Sequence, residues 1–389
     1  MKKYDAIVIG AGPAGSMAAY TIAKEGMSVL LIDRKPSPGT PKKCAEAIGI
    51  KIFELLNLKI EDGWVSNEYD SLLAGFMEGN KILIKTSKTR GYVLNRRIFD
   101  YDLAMRSRKE GADHLFGSVV KRVSIEDEVI VSTEKGDFSS KIVIAADGAR
   151  SIAARQLGLD GLKCHVSMQY EIEGRCDLPH TLQVFFYPEI DISGYCWIFP
   201  KKNSINIGLA AKRSAGLKDK LDQFVKAAGF SSRKITDINA GLLPGQNKMS
   251  KIYSDRVLVA GDAAGHTNPL TGGGIPAALY DGVLAGGICV KAIRRERFDA
   301  QSLSQYQQLW DKSPFGKAWS EGFKLMNNLD SSAYFNNLEL IFSKIGPETI
   351  NGRKGVIKKL LEKGLTFREI MILYKFGSVL FDVIIDYAM

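Results

Sequence analysis

Two glycine-rich segments far apart in the chain carry its clearest chemical signal. The first is Val8-Ile9-Gly10-Ala11-Gly12-Pro13-Ala14-Gly15, beside the N-terminus. Its Gly10-x-Gly12-x-x-Gly15 spacing suits a pyrophosphate. Gly10 permits a tight turn, Gly12 lets backbone approach the phosphates, and Gly15 allows close helix–strand packing. A helix starting there offers unpaired N–H groups and the positive end of its dipole. Asp33, about 20 residues on, is placed to accept a ribose hydroxyl. The second segment is Val257-Leu258-Val259-Ala260-Gly261-Asp262-Ala263-Ala264-Gly265, running on to Thr271-Gly272-Gly273-Gly274-Ile275. Successive glycines ahead of a helix clear room for a flat ring, and the helix N-terminus would stabilise negative charge on a reduced flavin. Gly261-Asp262 by itself reads equally well as a plain turn. Together, each after a strand and before a helix, the two segments predict FAD held along its length.

Those residues need strands and helices to aim them. Tyr4–Ile9 is an apolar run that reads as a buried parallel strand, Pro13–Glu25 as a helix with proline in its first turn, and Ser28–Ile32 as a second strand closed by Asp33. Pro36–Ala47 reads as a loop, Gly49–Leu58 and Arg97–Gly111 as helical, and Lys141–Ala146 as a strand. From Cys164 to Gly208 the pattern alternates, with Thr181–Tyr187, Gly194–Pro200 and Ile205–Ala210 as strands. Leu217–Ala228 reads as a helix, Arg256–Ala260 as a parallel-type strand and Ile275–Arg294 as a helix, with mainly helical chain after Asp299. The expected fold is α/β: a Rossmann-like FAD-binding domain (1–163 and 246–298) interrupted by an antiparallel sheet substrate domain (164–245) and followed by a helical C-terminal region (299–389).

Bulk properties narrow the class. At 389 residues, 45% hydrophobic and 25% charged, the chain can fill more than one core. A net charge of +10 suits acidic partners, but no Lys/Arg block with interleaved aromatics appears, so no nucleic acid is expected. Five cysteines without a Cys-x-x-Cys pair argue for a reducing compartment and against zinc or a disulfide framework. No metal is expected, and His114, His165, His180 and His266 form no ligand spacing. No window offers about 20 uncharged apolar residues, so no membrane span is expected, nor a signal peptide. The expected location is cytoplasmic, with peripheral contact at a membrane surface. Leu365–Met389 is an amphipathic stretch suited either to core packing or to shallow insertion.

Further motifs join the glycine segments. With Arg96-x-x-Phe99-Asp100 and Ala146-Asp147-Gly148-Ala149-Arg150-Ser151, the chain resembles the p-hydroxybenzoate hydroxylase-like FAD superfamily. Within it, the chain is most similar to the geranylgeranyl reductase family, which includes the archaeal digeranylgeranylglycerophospholipid reductases. That narrower likeness rests on Pro41-Lys42-Lys43-Cys44-Ala45-Glu46-Ala47, on Tyr195-x-Trp197-x-Phe199-Pro200, and on Asp262 with Pro269-Leu270-Thr271-Gly272-Gly273-Gly274-Ile275. Two departures stand out. Ala45 and Ala47 replace glycines of a Cys-Gly-Glu-Gly loop, and Gly208-Leu209-Ala210 keeps only the first glycine of a Gly-x-Gly.

The resemblance implies FAD contacts at Gly10, Gly12, Ala14, Gly15, Asp33, Arg34, Cys44, Ala45, Ala47, Arg96, Val120, Asp147, Gly148, Asp262, Gly273, Gly274 and Ile275. It implies an isoprenoid contact along Tyr195, Trp197, Phe199 and Pro200, and a Cys44 thiol near the flavin and the reacting alkene. By itself Cys44 reads equally well as a small buried hydrophobe. No residue stands out as proton donor, with Cys44 the first candidate and Tyr195 the second. Alternation puts Tyr195, Trp197 and Phe199 on one strand face, which is either a core face or a wall for a long hydrocarbon. Asp147-Gly148 alone reads as a hairpin corner, and Arg97 as a solvated helix-start charge.

The implied reaction is saturation of C=C bonds in a geranylgeranyl lipid by reduced FAD. With no second G-x-G-x-x-G unit, the electron donor is NAD(P)H bound transiently, a ferredoxin or another reduced carrier. The alternatives are an aromatic monooxygenase of the same superfamily and a prenyl-lipid carrier with structural FAD.

Overall fold

The computed structural model describes residues 1–328 except 43, 86–87, 160, 189–193, 213–214, 245–246 and 270, and beyond them 339–340, 342–344, 346, 349–351 and 362. The stretch Leu365–Met389 lies outside the described residues. The chain divides into two units. One comprises Met1–Lys42, Arg96–Cys164 and Leu243–Ser320; the other comprises Lys43–Asn95, His165–Leu242 and Glu321–Met389.

The first unit is built on a largely parallel sheet. Its strand order is Tyr253–Ser254, Val257–Val259, Gly136–Ala145, Lys2–Ile9, Val29–Asp33, Asp113–Phe116. Continuous apolar runs such as Val29–Asp33 suit strands buried on both faces, and four of its five residues are buried. The antiparallel strands Val120–Ile125 and Val129–Thr133 extend from Gly136–Ala145. Helix Pro13–Lys24 starts on its proline, whose missing N–H costs nothing in a first turn. Helix Ile275–Arg295 packs beside it: a Cβ at Gly282 would stand 2.2 Å from the Ala14 carbonyl oxygen, so only glycine permits that approach. The helix is long and apolar enough to cross a membrane by length and composition, but it is mostly buried inside the protein and its one acidic side chain, Asp281, is fully hydrogen-bonded. It is a core helix.

The second unit carries a sheet ordered Ile235–Pro244, Cys164–Glu173, Ser204–Ala211, Cys196–Pro200, Thr181–Phe186, Ser71–Phe76, Lys81–Lys85, Thr349–Asn351. Residues of alternate parity pack one face against helix Leu217–Ala227. Tyr170, Ile172, Phe185, Cys196, Ile198, Ile205, Ile207 and Leu209 meet Leu221 and Phe224 there. A small sheet of Ala47–Gly49, Gly91–Leu94 and Val65–Tyr69 completes the unit.

This division differs from the boundaries expected from sequence. Lys43–Asn95 groups with the substrate sheet and not with the FAD-binding unit, because Ser71–Phe76 pairs in parallel with Thr181–Phe186, Ser71 opposite Thr181. The C-terminal region is likewise divided, between Ser320 and Glu321. The helix expected over Gly49–Leu58 shrinks to Lys51–Leu55, preceded by strand Ala47–Gly49.

Candidate functional site

In the first unit the glycine segments sit at the carboxyl ends of the parallel strands Lys2–Ile9 and Val257–Val259, which flank Gly136–Ala145 on either side, and open α/β sheets bind ligands at such strand ends. Gly10 has φ 103°, and a Cβ there would lie 2.3 Å from the Ala146 carbonyl oxygen. At Gly15 it would lie 1.8 Å from the Gly10 carbonyl oxygen. At Gly12 it would meet nothing within 4 Å. Two of the three glycines are therefore demanded by packing, and the third leaves open space beside an uncapped helix N-terminus. That is the cradle a pyrophosphate requires.

Asp33 pins this turn. Its Oδ2 accepts the Ala11 N–H at 2.6 Å and its Oδ1 the Lys35 N–H at 2.7 Å. Each oxygen keeps a second lone pair for a ribose hydroxyl. Arg34 beside it is exposed, and Val120 is buried at the start of its strand. The Ala14 methyl packs on Gly261, where an added Cβ would stand 2.9 Å from it.

Asp262 is half-buried on the second segment, and desolvation of its carboxyl pushes the pKa up. Thr267 Oγ1 donates to its Oδ1 at 2.7 Å, and this bond, with the nearby Arg96 charge, opposes the desolvation effect. Arg96 itself forms a two-pronged ion pair with Asp100, at 2.7 and 2.8 Å. Gly274 caps helix Ile275–Arg295 with no side-chain hydrogen bond, and a Cβ on it would stand 3.1 Å from Asp262 Oδ1. Asp262, Gly274 and the first turn at Ile275 thus form one corner, with Gly273 held by Thr271 Oγ1 at 3.1 Å.

Asp147 is not at a hairpin corner. Its carboxylate accepts from Ser151 Oγ and from the Ile152 N–H at 2.8 Å, steadying helix Ile152–Gln156. That leaves Gly148, at φ 86°, and the local backbone for a cofactor.

Sequence reading missed a network beneath the second segment. Asp281 Oδ2 accepts the Gly261 N–H at 2.6 Å and lies 2.8 Å from His266 Nδ1, while Tyr306 donates to Asp281 Oδ1 at 2.5 Å. The His266 ring stacks on Trp310 at 3.7 Å. The available signal was a lone acid in an apolar helix.

In the second unit Cys44 is half-buried. Its Sγ accepts the Glu46 N–H at 3.2 Å, and its carbonyl oxygen accepts from Gln169 Nε2 at 2.9 Å and Asn206 Nδ2 at 3.3 Å. The left-handed residue of this loop is Glu46, with φ 73°; Ala45 and Ala47 have no such strain. The methyls that depart from the family pattern therefore sit where the backbone does not need glycine. Lys201 Nζ binds Glu46 Oε2 at 2.8 Å and Glu171 Oε1 at 3.4 Å, all largely buried.

The aromatic face is as expected, with one difference: Tyr195 precedes the strand, which runs Cys196–Pro200. Ring centroids lie 6.0 Å apart for Tyr195–Trp197 and 6.4 Å for Trp197–Phe199. Cys196 and Ile198 point instead into the core under helix Leu217–Ala227. Trp197 and Phe199 are buried on the opposite face, and Pro200 ends the strand with its carbonyl accepting from Asn67 Nδ2 at 3.0 Å. Burial, aided by the nearby Cys44, pushes the Tyr195 phenol pKa up.

Residues 3–173 match the model of the FAD binding domain, and residues 163–243 that of the geranylgeranyl reductase catalytic domain. A relative named digeranylgeranylglycerophospholipid reductase 1, from Methanopyrus kandleri, is 34% identical over 327 residues, which are 80% of this chain and 86% of that protein. The chain belongs to the geranylgeranyl reductase family. It is an FAD-dependent oxidoreductase, and the open cradle at Gly12 fits that cofactor.

Solved structures share the fold of this family member. A geranylgeranyl bacteriochlorophyll reductase-like protein from Thermoplasma acidophilum superposes with TM-score 0.84 at 24% identity, covering 97% of this chain and 100% of that one. A halogenase in complex with FAD gives TM-score 0.66 at 16% identity, over 88% of this chain and 79% of the other.

Proposed function

We propose that this family member saturates C=C bonds in the geranylgeranyl chains of an archaeal-type ether glycerophospholipid. The observation that carries this reading is the buried aromatic face of Trp197 and Phe199, on the side of its strand away from the hydrophobic core, in the same unit as the Cys44 loop. When bound, reduced FAD supplies the hydride. Gly10, Gly12, Gly15 and the backbone of Ala14 would hold its pyrophosphate, Asp33 with Arg34 and Val120 its adenosine side, and Arg96, Gly148, Asp262, Gly273, Gly274 and Ile275 its remaining length.

An isolated alkene has no carbonyl to polarise, so orientation and exclusion of water carry much of the work. Tyr195, Trp197, Phe199 and Pro200 bind the hydrocarbon, at about 0.8 kcal/mol per buried CH₂. Cys44 delivers a proton to the second alkene carbon. Tyr195, whose raised pKa keeps the phenol protonated, is a weaker acid and ranks behind it. Electrons arrive from a separate reduced carrier, NAD(P)H or a ferredoxin, and the basic chain works in the cytoplasm against an anionic membrane surface that presents its substrate.

The test is anaerobic. The bound flavin is reduced with dithionite, geranylgeranyl lipid is added, and reoxidation is followed by absorbance. Lipid-dependent reoxidation without oxygen supports the reductase. Turnover that needs oxygen and a phenol, or tight lipid binding without turnover, would replace it with the monooxygenase or the carrier.

A further inference from the structure

One buried amide ties the aromatic face to the Cys44 loop. Asn206 is fully buried, and its Oδ1 accepts the Trp197 indole N–H at 2.8 Å. Its Nδ2 donates to the Cys44 carbonyl and to Glu46 Oε2, each at 3.3 Å. An indole N–H only donates, while a carbonyl and a carboxylate accept. The amide therefore has a single orientation that satisfies every neighbour, and a flipped one would face oxygen against oxygen. A buried amide is costly unless bonded in this way.

Its surroundings repeat the arrangement. Gln169, on the adjoining strand, gives the Cys44 carbonyl its other donor. Gly208 lies opposite both Gln169 and Trp197 in the two ladders. A Cβ on it would stand 2.4 Å from Trp197 Cζ2 and 2.7 Å from Gln169 Cβ. The bare position leaves room for the indole beside the glutamine stem. Neither Asn206 nor Gln169 belongs to the motifs by which the chain is recognised.

We propose that Asn206 is a positioning residue that holds the Cys44 loop and the Trp197 side chain in one register, so that the thiol and the hydrocarbon-binding face keep a fixed relation. This rests on the roles given above to Cys44 and Trp197. Gln169, by contrast, steadies the loop alone. The distance along the prenyl chain at which a double bond meets the thiol is then set by one side-chain amide.

Two readouts separate this from a merely structural role. Alkylation of Cys44 by iodoacetamide, followed peptide by peptide by mass spectrometry, reports the loop without substrate. KM and kcat for geranylgeranyl lipid report the face and the chemistry. Asn206→Leu should speed Cys44 alkylation by about fivefold and raise KM by about tenfold, as a half-buried thiol is released and a wall loses its register. Gln169→Leu should speed alkylation and leave KM within about twofold. Asn206→Ser, too short to reach its partners, should behave as Asn206→Leu and serves if that variant does not fold. Folded Asn206 variants that alter only one of the two readouts, or neither, would overturn the proposal. Should the parent reduce no prenyl lipid, the catalytic reading falls by itself, and unchanged alkylation in Asn206→Ser would then count separately against the positioning role.

Discussion

Gly12 offers the cleanest test among single residues. Since its Cβ would meet no atom within 4 Å, Gly12→Val should fold with the parent's circular dichroism yet purify colourless. Full flavin occupancy in that variant would remove the pyrophosphate from this turn. Asp262→Ala should weaken FAD binding by roughly 10–150-fold, the worth of a charged buried hydrogen bond at about 1.5–3 kcal/mol, as flavin titration would show. Cys44→Ser preserves shape and substitutes a far weaker acid. Single-turnover alkene reduction should slow tenfold or more, within the ~10²-fold scale of acid–base groups, with FAD content unchanged. A rate within about twofold of the parent would return the proton to Tyr195 or water. The glycine turn was legible because its spacing alone imposes the packing seen at Gly10 and Gly15. Asp33 was legible as a polar end to a strand, though not as the acceptor of two backbone N–H groups. Asp281, His266 and Tyr306 were not legible as partners, because nothing local links positions so far apart in the chain.

At the level of strands and helices, alternation separated Trp197 and Phe199 from Cys196 and Ile198 correctly, since a strand has no other way to divide its faces. It did not reveal the lysine between two carboxylates. Lys201 sits just past its strand and looks like any solvated charge, yet it reaches Glu46 and Glu171. Lys201→Met should leave two carboxylates buried without their cation and cost about 3–5 kcal/mol, read as a lowered denaturation midpoint. A second expectation concerns the junction of helix Arg96–Lys109 with strand Asp113–Phe116. There His114 Nε2 lies 3.0 Å from Ser107 Oγ, and burial foremost, then Arg108, lowers its pKa to about 4. The imidazole is more readily protonated in the unfolded chain. Its contribution is complete above the unfolded value of 6.5 and is lost as pH falls through about 4. His114→Leu should therefore lose less thermal stability than the parent on acidification across that window.

For the whole molecule, order in the sequence was a poor guide to membership. The βαβ beginning and the return at Val257–Val259 were visible as apolar runs, but the move of Lys43–Asn95 into the other unit depends on a parallel strand pair that no local pattern announces. Binding to the folded chain alone should stabilise it, so FAD at about 100 times its Kd should add about 2.7 kcal/mol and raise the melting temperature of apoprotein, while Gly12→Val should show no such rise. The interleaving also has a bearing on synthesis. Val143, Ile144 and Ala145 pair on one side with the N-terminal strand but on the other with Val257, Leu258 and Val259. During translation the first half of that sheet leaves the ribosome long before its last central strand, with three fully buried positions of the finished protein bare along one edge. Such an edge invites pairing with a neighbouring nascent chain. Slow codons placed just ahead of residue 257 should lower soluble yield, whereas the same codons placed far enough downstream that residues 257–259 have already cleared the ribosome should have little effect.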